Sequence, residues 1–104
     1  MERNKISVEQ ARAFVALRRN KERWITSTEL AKVANIGERT GRLYLEKYSK
    51  LGLVDRIEVS PAYKYRLSEK ASKRNAGYFG RLEKAREVFG LGAERIAAPE
   101  RGGS

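Results

Sequence analysis

Cysteine and histidine are both missing from the chain. Without cysteine there are no disulfides and no thiolate metal sites, and nothing supports an oxidising compartment, so a cytoplasmic location is expected. Without histidine the commonest general base and the commonest metal ligand are gone, and most hydrolase and metalloenzyme readings weaken with them. Long apolar runs are also missing. None approaches the roughly 20 residues of a bilayer span, and the opening "MERNKIS" has no signal-peptide core, so no membrane partner is expected. Proline occurs only twice, and there is no low-complexity tract or internal repeat to break a folded chain. The 104 residues leave room for one modest core.

Acidic residues are the scarcer sign of charge. Thirteen Asp and Glu face twenty-three Lys and Arg, for a net charge of +10 and a pI near 10.2. A small domain this basic attracts polyanions, and nucleic acid is the usual one. The carboxylates that remain (Glu29, Glu38, Glu46, Asp55 and Glu58) are interleaved with basic residues and form no catalytic constellation. Gly90-Leu91-Gly92 lacks the Lys-Ser/Thr and the leading strand of a phosphate loop. No enzyme, cofactor, metal or small-molecule ligand is expected.

The pattern along the chain is helix, helix, helix, hairpin, helix. A first helix is predicted from Val8 to about Glu22, capped by Ser7 with Gln10 completing a capping box. Val8, Ala11, Phe14, Val15 and Leu17 form its buried stripe. It ends in the cluster "RRNKER", which reads either as a solvated helix end or as a phosphate contact. "WIT", Trp24 to Thr26, is long enough only for a single bridge of sheet. Thr26 and Glu29 repeat the capping-box pattern and open a helix over Thr28–Ala34, with Leu30, Val33 and Ala34 turned inward. "NIG" breaks it, and a third helix follows over Glu38–Leu51, stopped by Gly52 in a left-handed cap. Beyond it "LVDRIEV" and "YKYRL" alternate as strands, Leu53, Ile57 and Val59 on one side and Tyr63, Tyr65 and Leu67 on an inner face, joined through "SPA". A hairpin directly after a helix-turn-helix is a wing. The segment from Ser68 is helical with an interruption near Asn75-Ala76-Gly77, firm from Tyr78 to Phe89.

This order, with "STELAKVANIGERTGRLYLEKYSKLGLV" at its centre, resembles the winged helix-turn-helix family, over roughly Val8 to Leu67. The marks are T-x-x-E-L-A opening the second helix, a turn glycine, a threonine early in the third helix, and "LGLV" leading into the wing. The broad MarR-, ArsR- and PadR-like regulators of bacteria, archaea and mobile elements share it. The resemblance implies a mainly α fold with a small β-hairpin, a winged helix-turn-helix plus a C-terminal helix. It also implies a third helix entering the major groove and a wing on the backbone or minor groove. Gly41 departs from the packed aliphatic residue usual there, and either loosens the helix start or permits a close approach.

The organisation expected is a DNA-binding domain over residues 6–68, a C-terminal helix over 69–90 and a flexible tail over 91–104. Helical phase sorts the third helix: at about 100° per residue, Gly41, Tyr44, Leu45, Tyr48 and Leu51 share the core face. Tyr44 and Tyr48 are expected to pack there with their hydroxyls at the rim. Arg39, Arg42, Leu43, Glu46 and Lys50 lie opposite. Arginine can donate twice to guanine, glutamate can accept from cytosine, and leucine can pack on a thymine methyl. Arg39, Arg42 and Leu43 therefore form the expected base-reading set. Thr40 and Lys50 are set on phosphates, Glu46 near a cytosine or an arginine, and Lys47 is counted with the DNA-facing residues. Arg56, Lys64 and Arg66 are the expected wing contacts. Tyr78, Leu82, Ala85 and Phe89 make a seam that either pairs two copies or folds back on the first helix. The reading favoured is a sequence-specific double-stranded DNA binder, a small homodimeric transcription regulator. A DNA-bound accessory factor for replication, partition or conjugation and a protein-interaction module are the alternatives.

Overall fold

The computed structural model describes residues 5–91; of the expected tail, residues 92–104 lie outside them. Helix α1 spans Val8–Arg19, α2 Ser27–Ala34, α3 Glu38–Lys50, α4 Ala71–Arg74 and α5 Ala76–Val88, with strands β1 Val54–Val59 and β2 Ala62–Leu67 between α3 and α4. The strands form a two-stranded antiparallel hairpin, and an isolated Ile25–Tyr65 bridge adds the short third piece of sheet. The chain has the winged helix-turn-helix fold.

Both capping boxes form. Ser7 Oγ accepts from the Gln10 amide while Gln10 Oε1 accepts from the Ser7 amide, each at 3.1 Å. Thr26 and Glu29 exchange the same pair at 3.1 and 2.9 Å. α1 stops at Arg19, three residues before the expected end, where Asn20 takes over the Ala16 carbonyl. The turn between α2 and α3 is made by Asn35, which adopts φ +59°, whereas Gly37 is in ordinary extended backbone. A short amide side chain tolerates the left-handed region, so the turn does not need its glycine. Gly52 does need its lack of side chain. It sits at φ +83°, and a Cβ there would lie 3.2 Å from Arg74 Cδ. The Leu53 amide then donates back to Tyr48 O at 2.9 Å, closing α3.

The core is shared by every long element: Phe14 and Leu17 from α1, Leu30 from α2, Leu45 and Tyr48 from α3, Tyr65 from β2, and Tyr78 and Leu82 from α5. Val8 is only half-buried, while the rest of the expected α1 stripe is buried. Phe79 closes edge-on against Phe14 at 5.3 Å between ring centres. Two expectations about inward faces are corrected here. Val33 is 52 % exposed, because Leu30, Ala31 and Ala34 already fill the narrow inner stripe of the eight-residue α2. In the hairpin Tyr63, expected on the inner face with Tyr65 and Leu67, is 43 % exposed, while Val54 is buried opposite Leu67 and Ile57 and Val59 lie on the outer face. Side chains alternate strictly along a strand, so starting the inner set at Val54 sends Ile57 and Val59 outward.

Gly41 is the close-approach case. It is buried on α3, and a Cβ would lie 3.5 Å from Ala31 Cβ and 3.6 Å from Ser27 O, both on α2. Those are ordinary van der Waals distances, so a methyl fits but a larger side chain does not. Gly41→Ala is expected to raise stability by about 0.5–1 kcal/mol through reduced backbone entropy. Gly41→Leu is expected to lower it by about 1–3 kcal/mol by wedging the two helices apart. Thermal melts of the two variants beside the parent check this pair of signs.

Candidate nucleic-acid interface

α3 presents its faces as its sequence phase dictates. Gly41, Leu45 and Tyr48 are buried, and Arg39, Arg42, Leu43, Glu46, Lys47 and Lys50 are exposed, with Thr40 half-buried behind them. Leu43 is 59 % exposed, an apolar side chain set among charges. The helix is held in this rotation from within. Tyr48 Oη donates to the Gln10 carbonyl at 2.8 Å, and Gln10 Nε2 donates to Tyr78 Oη at 2.6 Å. Tyr44 stacks on Tyr48 at 6.4 Å and its hydroxyl meets Ser7 Oγ at 3.2 Å. The Tyr48 hydroxyl is therefore buried rather than at the rim. Burial pushes the phenols of Tyr48 and Tyr78 above the ordinary tyrosine value, so both stay neutral at physiological pH, Tyr48 as donor to Gln10 O and Tyr78 as acceptor from Gln10 Nε2.

Lys47 departs from the rest of the outer set. Its Nζ stands 5.3 Å over the Tyr78 ring of α5, so it leans towards the C-terminal helix. Arg42 and Glu46 lie on the opposite flank, facing the wing. Between them and the wing tip runs a cleft of about 450 Å³. Its walls are Thr26–Thr28 at the start of α2, Arg42 and Glu46 on α3, and Pro61–Tyr63 at the wing tip, with Tyr65 beneath. Thr28 donates its hydroxyl to Glu38, tying the start of α2 to the start of α3. The Glu29 carboxyl is held below its ordinary value, first by the Thr26 amide and then by the charges of Arg23 and Lys64.

The three expected wing residues do not act as one group. In the hairpin register Arg56 pairs with Tyr65, Asp55 with Arg66 and Ile57 with Lys64. Arg56 thus shares the inner face with Val54 and Tyr65, and its guanidinium covers the Tyr63 ring at 4.4 Å. Lys64 and Arg66 occupy the outer face, where Arg66 lies over Trp24 at 4.3 Å. Such stacking holds an arginine while leaving its edge donors free. Neither stack was read from the sequence, because each joins residues whose proximity is created by strand pairing.

The expected seam of α5 is corrected in part. Tyr78 and Leu82 are 6 % and 0 % exposed, buried in the chain's own core against α1. They are unavailable to a second copy. Ala85 is half-buried, and Phe89 remains 40 % exposed beside Val88 at 72 %. The interruption before α5 falls at Asn75, whose side chain accepts from the Tyr78 amide. From the basic cluster at the end of α1, Arg18 pairs with Glu83 of α5 instead of standing free.

No protein-family model matches the chain, and no curated protein does. Solved structures do. MepR, a transcription regulator of the Staphylococcus aureus multidrug efflux pump MepA, aligns over 92 % of this chain and 70 % of its own, with a TM-score of 0.55 and 14 % identity. The adhesin competence repressor AdcR of Streptococcus pyogenes aligns over 92 % and 72 %, with a TM-score of 0.52 and 16 % identity. RV1404 of Mycobacterium tuberculosis aligns over 89 % and 66 %, with a TM-score of 0.53 and 19 % identity. At these identities the likeness is one of fold. Among the described residues no helix is long and apolar enough to cross a membrane.

The rotation of α3 gives a direct comparison. Leu45→Ala is expected to cost about 2–5 kcal/mol, since it empties a fully buried site. Leu43→Ala is expected to stay within about 0.5 kcal/mol, as an exposed substitution. Denaturant midpoints of the two variants measure the contrast.

Proposed function

We propose that this chain is a double-stranded DNA-binding protein acting as a small transcription regulator, with α3 in the major groove and the hairpin as a wing on the backbone or minor groove. The observation that carries the reading is the outer face of α3. Arg39, Arg42 and Lys50 surround an exposed leucine there, on a helix whose other side is locked into the core. The net charge of +10 supports a polyanionic partner, and the fold shared with MepR and AdcR, a regulator and a repressor, supports duplex DNA as that partner. Arg39, Arg42 and Leu43 read base edges. Thr40 and Lys50 contact phosphates, with Lys47 at the flank, and Glu46 accepts from a cytosine or orients Arg42. On the wing, Arg56 is the contact nearest the cleft, and Lys64 and Arg66 reach the backbone from the outer face. The protein works in the cytoplasm and takes no cofactor.

The active form in this reading is a homodimer. Its contact uses the end of α5, where Val88 and Phe89 are exposed, since Tyr78 and Leu82 belong to the core. Phe89→Ser is expected to shift the mass measured in solution at micromolar concentration from dimer to monomer, with the melting temperature unchanged. An unaltered dimer mass would sink this surface.

Duplex binding is expected to fall on the order of a thousandfold or more between roughly 50 and 200 mM salt, the response of six or more neutralised phosphates. Arg42→Ala is expected to cost about 1–3 kcal/mol on the preferred site and to relax selectivity at one base pair. Titration of labelled duplexes across salt tests both, and an affinity indifferent to salt would rule the reading out.

A further inference from the structure

The cleft between α3 and the wing has a floor that the function above leaves unused. The Tyr65 ring is packed in the core and the residue is 4 % exposed. Its hydroxyl nevertheless makes no hydrogen bond to any described residue. Among the described residues no sealed side-chain nitrogen or oxygen lacks a partner, so this hydroxyl must reach solvent. Tyr65 lines the cleft, which is the open space this residue borders. A buried ring with a free polar tip is an unusual expense at a position where phenylalanine would pack as well, because the hydroxyl contributes nothing to the fold.

We infer that the Tyr65 hydroxyl donates to a phosphate of the DNA backbone where the strand passes between α3 and the wing. This rests on the duplex-DNA reading above. The cleft separates the helix that enters the major groove from the wing beyond it, so a sugar-phosphate strand is the part of the duplex that crosses it. The wall donors fit an anion: Arg42 on one side, and the Ser27 and Tyr63 hydroxyls, which have no partner among the described residues, on the others. Thr28 already donates to Glu38, and Thr26 Oγ accepts from the Glu29 amide in the cap of α2. Glu46 can only accept, so it cannot hold a phosphate and leaves the contact to its neighbours. Tyr65 differs from the other donors in being immobile. Its ring is fixed by core packing and its backbone by the Ile25 bridge, with Tyr65 N–H to Ile25 O at 2.7 Å. A donor already in place loses no side-chain freedom on binding.

The test is Tyr65→Phe in the full chain, titrated against two labelled duplexes of unrelated mixed sequence over a range of salt. The expected result is binding weakened about tenfold on both duplexes, the effect of one hydrogen bond to a charged group. The slope of log affinity against log salt should be unchanged, since a neutral hydroxyl releases no counterion, whereas Lys50→Ala, which removes a phosphate contact, should reduce that slope by about one. The melting temperature should not fall. Parent-like affinity of Tyr65→Phe overturns the inference. So does a loss confined to one sequence, which would make the contact a base contact, and so does a melting temperature lowered by several degrees, which would give the hydroxyl a partner inside the fold. Failure of the parent protein itself to bind either duplex is a separate outcome, which removes the DNA reading and this inference with it.

Discussion

One hydrogen bond in the middle of the core sets the working surface of this protein. Tyr48 donates to the backbone carbonyl of Gln10, and because its ring is almost wholly buried it can do so in only one rotation of α3. Gln10 in turn completes the cap of α1 and reaches Tyr78 on α5. The beginning of the first helix, the last turn of the third and the beginning of the last are thereby joined through three polar side chains and one carbonyl. Turning α3 by one residue would bury Arg42 or Glu46 and expel Tyr48, at the cost of an unpaired buried polar group. The charged outer face is thus a consequence of the core.

Much of this was legible in the chain, and the reason is locality. Ser7 with Gln10 and Thr26 with Glu29 are pairs three residues apart, so their caps are decided within one turn. The burial of Gly41, Leu45 and Tyr48 follows from helical phase alone. The parity of β1 was not legible, because it depends on how the chain leaves Gly52 and on the Val54–Leu67 pairing, thirteen positions apart in sequence. Val33 was misplaced because an eight-residue helix beside a small core buries a stripe narrower than its apolar content. The dual role proposed for the α5 seam was an open choice in the sequence, since Tyr78 and Leu82 suit either a partner or the first helix. The cleft over Tyr65 was invisible, being assembled from three elements.

The wing shows how cations can be stationed without ion pairs. Arg56 rests on Tyr63 and Arg66 on Trp24, so each guanidinium is positioned by an aromatic face. A carboxylate partner would cancel the charge; a ring does not. Where carboxylates do meet arginines, Arg18–Glu83 ties α5 to α1 and Arg74–Asp55 ties α4 to β1, while Arg86–Glu83 lies within α5.

The burial of α5 also bears on distance. Lys47 lies over Tyr78, and Tyr48 and Tyr78 sit 6.1 Å apart between ring centres, so side chains of α3 and α5 touch directly. A pair of chains joined at the ends of their α5 helices would behave as a caliper with fixed jaws. The gap between the two α3 helices would be set by the protein, and the DNA would have to match it, one turn of duplex or a multiple of it between half-sites. Under that constraint the number of base pairs between half-sites becomes part of the recognition code, although no side chain touches them.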